Sequence, residues 1–205
     1  MNAKRIWTTL ALTGLAVLAT ASVGSSVQLR GPQGKQATDS RSTLGETGTP
    51  FCSSGDIGAK CGHFGPGKLG HGCENSLGLG GALLTGHGSA RLCQDNLVLE
   101  ASSIPVPTTV VFLESTEAGL KGGGYTFGDG VMCLTRSIHR VAVQQPRRVG
   151  MATYPMLGDS PLSVDGKVTM LQPTRYYQVM YRDSEIMGRE KHFNLTNALM
   201  VVWSP

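Results

Sequence analysis

The chain has 205 residues, of which 40% are hydrophobic and 16% charged, with 28 glycines, five cysteines and a formal net charge of +4. So small a charge gives too weak a field for counterion release at many phosphates, which excludes nucleic acid as a partner. The length suits one principal domain with one substantial core.

Residues 1–21 follow the order of a secretory signal. Lys4 and Arg5 come first, an apolar run covers residues 6–19, and the small residues Ala19, Thr20 and Ala21 place cleavage after Ala21. Thr8, Thr9, Thr13 and Gly14 dilute the run, so no stable membrane span is expected after cleavage. No cysteine precedes Cys52, against a lipid anchor at the cleavage point. Loss of Lys4 and Arg5 lowers the net charge to about +2. The expected location is therefore secreted or cell-surface.

Residues 22–50 are Ser, Thr, Gly and Gln with scattered charges and no aromatic residue, a composition that cannot offset chain entropy by burial and reads as a flexible linker. Residues 51–205 form a single domain with no fixed-period repeat.

The domain opens with residues 52–88, dense in glycine and poor in apolar patterning, and this part is expected to be an irregular, disulfide-linked lobe. Five cysteines in an exported chain predict disulfides among Cys52, Cys61, Cys73, Cys93 and Cys133. The odd number leaves one thiol over unless a second chain pairs with it. Cys93, just before a predicted core strand, is taken as that thiol, buried as a small hydrophobe.

Cys61, His63, His71 and Cys73 bring four metal-ligating side chains close together, but the spacing is poor for a zinc knuckle and export oxidises the thiolates, so no metal or cofactor is expected. Residues 65–70 fit G-x-G-x-x-G and residues 62–68 fit the start of a phosphate loop. Neither follows a buried strand or opens an amphipathic helix, and Leu69 stands where a magnesium-binding hydroxyl is needed. Asp56 and Asp129, each beside a glycine, are turn-capping carboxylates or oxygen ligands for calcium.

From residue 97 onward short runs alternate with the period of two that a half-buried strand requires. Leu97, Leu99 and Ala101 alternate with Val98 and Glu100. Residues 110–113 are a β-branched and aromatic run, Val141 and Val143 flank Ala142, and Tyr177, Val179 and Tyr181 alternate with Gln178, Met180 and Arg182. Val201 and Trp203 share a face, with Trp203 expected to be buried. Turns are expected at residues 122–124, 128–130 and 165–166, where glycine supplies positive φ. The pattern predicts an all-β fold, an antiparallel β-sandwich or barrel with almost no helix.

Chemistry is thinly marked. There is no G-x-S-x-G elbow and no H-E-x-x-H pair, and His139 or His192 beside Asp129 or Asp183 would be the catalytic pairing of a secreted hydrolase. Arg136, His139, Arg140, Arg147 and Arg148 make a basic stretch, read as a solvated edge strand and loop, with attraction for anionic polymers if the side chains converge. Asn194-Leu195-Thr196 fits a glycosylation sequon and is read as local hydrogen bonding at the start of a strand.

One ordered series of motifs runs through the domain: residues 72–76 (GCENS), 95–99 (DNLVL), 127–133 (FGDGVMC), 176–182 (YYQVMYR) and 193–197 (FNLTN), followed by Trp203. Together they resemble a family of secreted bacterial domains of unknown function, found alone or at the ends of large extracellular proteins. The resemblance covers nearly all of residues 51–205 and implies fold and location without an activity. Where that family commonly reads Cys-Pro-Cys-Gly-Asn, residues 59–63 are AKCGH, and a cysteine that relatives carry near Ile186-Met187 is missing. The paired loss implies that one bridge is gone and that Cys52, Cys61, Cys73 and Cys133 form the remaining two.

The function expected is a non-catalytic extracellular module binding a surface polymer, carbohydrate-like, or serving as structure in the envelope or matrix. The alternatives are the secreted hydrolase and an assembly or adhesion domain. Tyr125, Tyr154 and Tyr176 are the aromatic residues a sugar platform would use.

Overall fold

The computed structural model describes residues 46–54, 61–119, 123–146, 150–183 and 193–205. The residues expected to form a signal and most of those expected to form a linker, with Asp56, Arg147, Arg148 and His192, lie outside them. In chain order the strands are β1 (Thr49–Phe51), β2 (Leu83–His87), β3 (Ala90–Arg91), β4 (Gln94–Asp95), β5 (Val98–Ser102), β6 (Val110–Ser115) and β7 (Glu117–Ala118). There follow β8 (Tyr125–Phe127), β9 (Gly130–Met132), β10 (Leu134–Thr135), β11 (His139–Gln144), β12 (Ala152–Tyr154), β13 (Thr174–Arg182) and β14 (Phe193–Val202). One helical turn, α1 (Leu162–Asp165), lies between β12 and β13.

A five-stranded antiparallel sheet has the order β1-β14-β13-β6-β11. A three-stranded antiparallel sheet has the order β12-β5-β2. The alternating residues do what their period requires. Leu97, Leu99 and Ala101 join Val110, Phe112, Tyr177, Val179, Tyr181, Leu199, Val201 and Trp203 in one buried cluster, which draws on both sheets. Each large side chain there contributes about 1.5–3 kcal/mol of apolar burial.

Two bulges shape the large sheet. In β14, Thr196 and Asn197 together oppose Val179, since Gln178 faces Ala198 and Met180 faces Leu195. The Asn197 carboxamide then serves β2 as a substitute strand: it accepts from Leu84 N–H at 2.7 Å and donates to Leu84 C=O at 3.1 Å. In β11 the extra residue is Val141, between Arg140 opposite Leu113 and Ala142 opposite Phe112.

The other face of the large sheet is partly covered by residues 130–134. Gln178 is wholly buried and fastens that cover: its amide donates to Val131 C=O and Thr196 C=O, each at 2.8 Å, and its oxygen accepts from Cys133 N–H at 2.9 Å. Leu113, Met132, Leu134 and Leu195 close the contact. Close backbone approach explains some of the glycines, in the irregular lobe and in the β8–β9 turn. A Cβ at Gly72 would stand 2.0 Å from Leu195 C=O, and Gly128, at φ +61°, would bring one 2.3 Å from Phe193 C=O.

Several sequence expectations need correcting. The irregular lobe ends before residue 88, because Leu83–His87 is strand β2 of the small sheet. Residues 46–50 do not behave as linker: Thr47 N–H donates to Gly86 C=O at 2.7 Å, and Thr49 and Pro50 pair with β14. Asp165-Gly166 ends α1 rather than making a tight reversal. Gly166 has φ −76°, a Cβ there would stand 2.2 Å from the Glu114 carboxylate, and the positive φ falls on Lys167.

Candidate functional site

The motif residues, which would be the first places to look for chemistry, are occupied in holding the fold. Glu74 accepts backbone N–H groups from Asn75, Gly80 and Gly81 at 2.9–3.0 Å, curling the loop around one carboxylate. Asn75 donates to Ser103 C=O at 2.8 Å and to the Tyr181 hydroxyl at 3.1 Å, and Asp183 accepts from Ser76 N–H at 3.1 Å. Asn194 is buried and donates to Glu74 C=O at 2.9 Å, which ties the start of β14 to the lobe and closes the sequon to any modifying enzyme in the folded chain. Asp95 accepts Ser163 N–H of α1 at 2.7 Å.

Two disulfides staple the lobe. Cys52 joins Cys133 across 81 residues and Cys61 joins Cys73 across 12. The second bridge uses both thiolates of the possible zinc set, and the remaining members are engaged elsewhere: His71 Nδ1 lies 2.9 Å from Gly81 C=O and the His63 ring packs edge-on to Phe64. No cluster of three or more His, Cys, Asp or Glu among the described residues could hold a metal ion. Cys93 is free, but it is exposed rather than buried as expected. It sits in the two-residue tip of the β3–β4 hairpin, so the core strand it precedes starts too far along the chain to cover it.

Asp129 is buried in the β8–β9 turn, where its Oδ1 accepts His63 N–H at 2.9 Å and its own N–H and C=O bind Phe193 and Gly62. That is the work of a turn carboxylate. His139 is exposed on β11. Its neighbour across the ladder is Glu114, but the Glu114 carboxylate is buried and bonded to Arg175 Nε at 2.6 Å.

The Glu114–Arg175 pair is the one buried ion pair among the described residues. Burial raises the Glu114 carboxyl to about 7; the Arg175 guanidinium opposes that shift without cancelling it. Arg175 also donates to Gln172 C=O, Thr174 C=O and Lys167 C=O, at 2.5, 3.1 and 3.2 Å, which gathers the α1–β13 connection onto the sheet. Glu114 Oε2, Tyr177 Oη and Trp203 Nε1 are buried beside it without a geometrically good hydrogen bond to any described residue. The cluster acts as a polar support for the sheet.

The open site lies on the other face of the same sheet, at the end away from the cover. There a groove of about 760 Å³ is floored by Val111, Val143 and Met180 and flanked by Arg140, Arg182 and Phe193. The floor is one cross-strand row, since Val143 pairs with Val111 and Val111 with Met180. Arg182 lies over the Phe193 ring, 5.3 Å from its centroid. Neither Arg140 nor Arg182 is in an ion pair with a described residue, and both are exposed. Asp183, the acid at the groove wall, is buried and taken up by Ser76. A smaller recess of about 430 Å³, lined by Gln144, Met151, Thr153, Met156 and Leu157, lies on the opposite flank of β11.

No protein-family model matches the chain, and no curated protein or solved structure matches it either.

Among the described residues of the basic stretch, Arg140 alone lines the groove; Arg136 pairs at the surface with Glu117 at 3.7 Å. Reasoning from the sequence missed Val111, Met180, Arg182 and Phe193 as groove residues. They lie on three strands far apart in the chain, and each reads locally as ordinary strand alternation. The one signal was the pair of cations, Arg140 and Arg182, on alternating strands.

Proposed function

We propose that this chain is a secreted, non-catalytic module with a jelly-roll-like β-sandwich fold, which binds an anionic surface polymer in the groove between Arg140 and Arg182. The resemblance to secreted bacterial domains of unknown function belongs to the same proposal. The observation that carries it is an apolar-floored groove flanked by two arginines in no ion pair with a described residue, with no histidine among its lining residues. The two disulfides fit an oxidising compartment. Two sheets sharing one core support the sandwich, with the β5–β6 and β11–β12 connections crossing between them.

Of the aromatic residues a flat sugar platform would use, Tyr125 on β8 is exposed but does not line the groove. Trp203 and Tyr154 are buried, Tyr176 packs edge-on against Phe51 at 5.5 Å, and Arg182 covers Phe193, so charge and the aliphatic floor carry the recognition in the groove. The test is retention of the purified chain on immobilised polyglutamate, polygalacturonate and neutral dextran over a salt series. Binding to at least one anionic chain, weakened by salt and by combining Arg140→Ala with Arg182→Ala, is the expected result. Equal retention on dextran refutes the reading.

A further inference from the structure

We propose that the free edge of β11 is a strand-addition site, and that the polymer it takes is an extended acidic polypeptide. This rests on the binding reading above and specifies its ligand. β11 is the last strand of its sheet: β6 pairs with one side of it and no described residue pairs with the other. Alternate backbone N–H and C=O groups of an edge strand point outward as an unused ladder. Ala142, Val143 and Gln144 keep regular register with β6, so the bulge at Val141 blunts only one end of the edge. Val143 is 58% exposed where such a ladder would form.

The side chains flanking that ladder specify the pattern of the guest. Arg140, Val143 and Gln145 line the groove from β11. Because Val141 is the extra residue, Arg140 and Val143 stand opposite Leu113 and Val111, which are two residues apart on β6. A strand added on the other side meets the same spacing: an acidic residue beside Arg140 and an apolar residue two positions along beside Val143. Arg182 supplies a second cation across the floor.

A polypeptide is favoured over a polysaccharide because only its backbone matches a row of alternating donors and acceptors. A second copy of this chain is disfavoured because it would bring another His139, Arg140 and Arg182 to an edge that already carries these basic residues.

The experiment uses the purified chain with both disulfides formed and a blocked peptide, Thr-Glu-Thr-Val-Thr-Gln-Thr. It is followed by amide chemical shifts and hydrogen exchange. Slowed exchange is expected at the outward-pointing amides among residues 142–144, with affinity falling about threefold for Arg140→Ala and about tenfold when alternate peptide amides are N-methylated. Binding without protection of those amides, or binding that survives N-methylation, overturns strand addition. So does dimerisation through β11 that excludes the peptide. If polygalacturonate occupies the groove and the peptide does not, strand addition fails while the proposed function stands. If neither binds, both fail.

Discussion

The two faces of the five-stranded sheet are organised on opposite principles. The inner face, the lobe and the cover over part of the outer face carry the residues that stand out in the sequence, and those residues are nearly all committed: Asn75 to Tyr181, Asp183 to Ser76, Asn194 to Glu74, Asn197 to Leu84, Gln178 to Val131 and Cys133. The groove on the outer face is built from Val111, Val143, Met180, Arg140 and Arg182, which form no motif, and its arginines have no ion-pair partner among the described residues. Conspicuous polar residues in a glycine-rich β domain thus mark where backbone needs satisfying. Uncommitted charge over an apolar floor marks where something else can bind.

Perturbing the stapled side should cost stability in proportion to what each device closes. Replacing Cys52 and Cys133 together by serine opens the loop of 81 residues and should lower unfolding free energy by about 4 kcal/mol, read by urea titration. A loss under about 1 kcal/mol would mean that the lobe holds without its staple. Next in size is pH. The Glu114 carboxyl stands at about 7 when folded and 4.5 as its ordinary value, so the folded state binds its proton more tightly. Its contribution is full below pH 4.5 and disappears as pH rises through 7, an effect of at most about 3 kcal/mol. The stability of the wild type relative to Glu114→Gln, which does not titrate, should fall over that interval; a difference independent of pH would place the titration elsewhere. Asn197→Ala leaves Leu84 N–H and C=O unpaired in the core and should cost about 2 kcal/mol by the same titration.

How much of this was legible in the sequence follows from what is local. The burial of Leu97, Leu99, Ala101, Tyr177, Val179 and Tyr181 was readable because a period of two reports which face is covered. Gln178 was read as an outward polar residue, yet it is wholly buried, because the cover it fastens comes from residues 130–134 and its partners cannot be inferred from strand alternation. β2 was taken for lobe because Gly86 breaks its pattern; a Cβ there would stand 2.4 Å from Thr47 C=O, a contact between distant segments. Cys93 was misplaced because a core strand follows it closely in the chain, which suggests burial unless the hairpin tip is recognised. The groove was least legible of all, being a row across strands whose register is set by two bulges.

The smallest expected effect is the most discriminating. Arg140→Ala and Arg182→Ala remove exposed side chains in no ion pair with a described residue, so each should change unfolding free energy by no more than about 0.5 kcal/mol. Arg182 sits over Phe193, and losing that stacking marks the upper end of the range. If the two faces divide their work as argued, these variants melt like the wild type and yet lose retention on the anionic chain. A double variant that unfolds easily would show that the arginines support the sheet, and the groove would then be another part of the scaffold. Stability and retention must therefore be measured on the same preparations, since only their separation distinguishes a binding surface from a structural one.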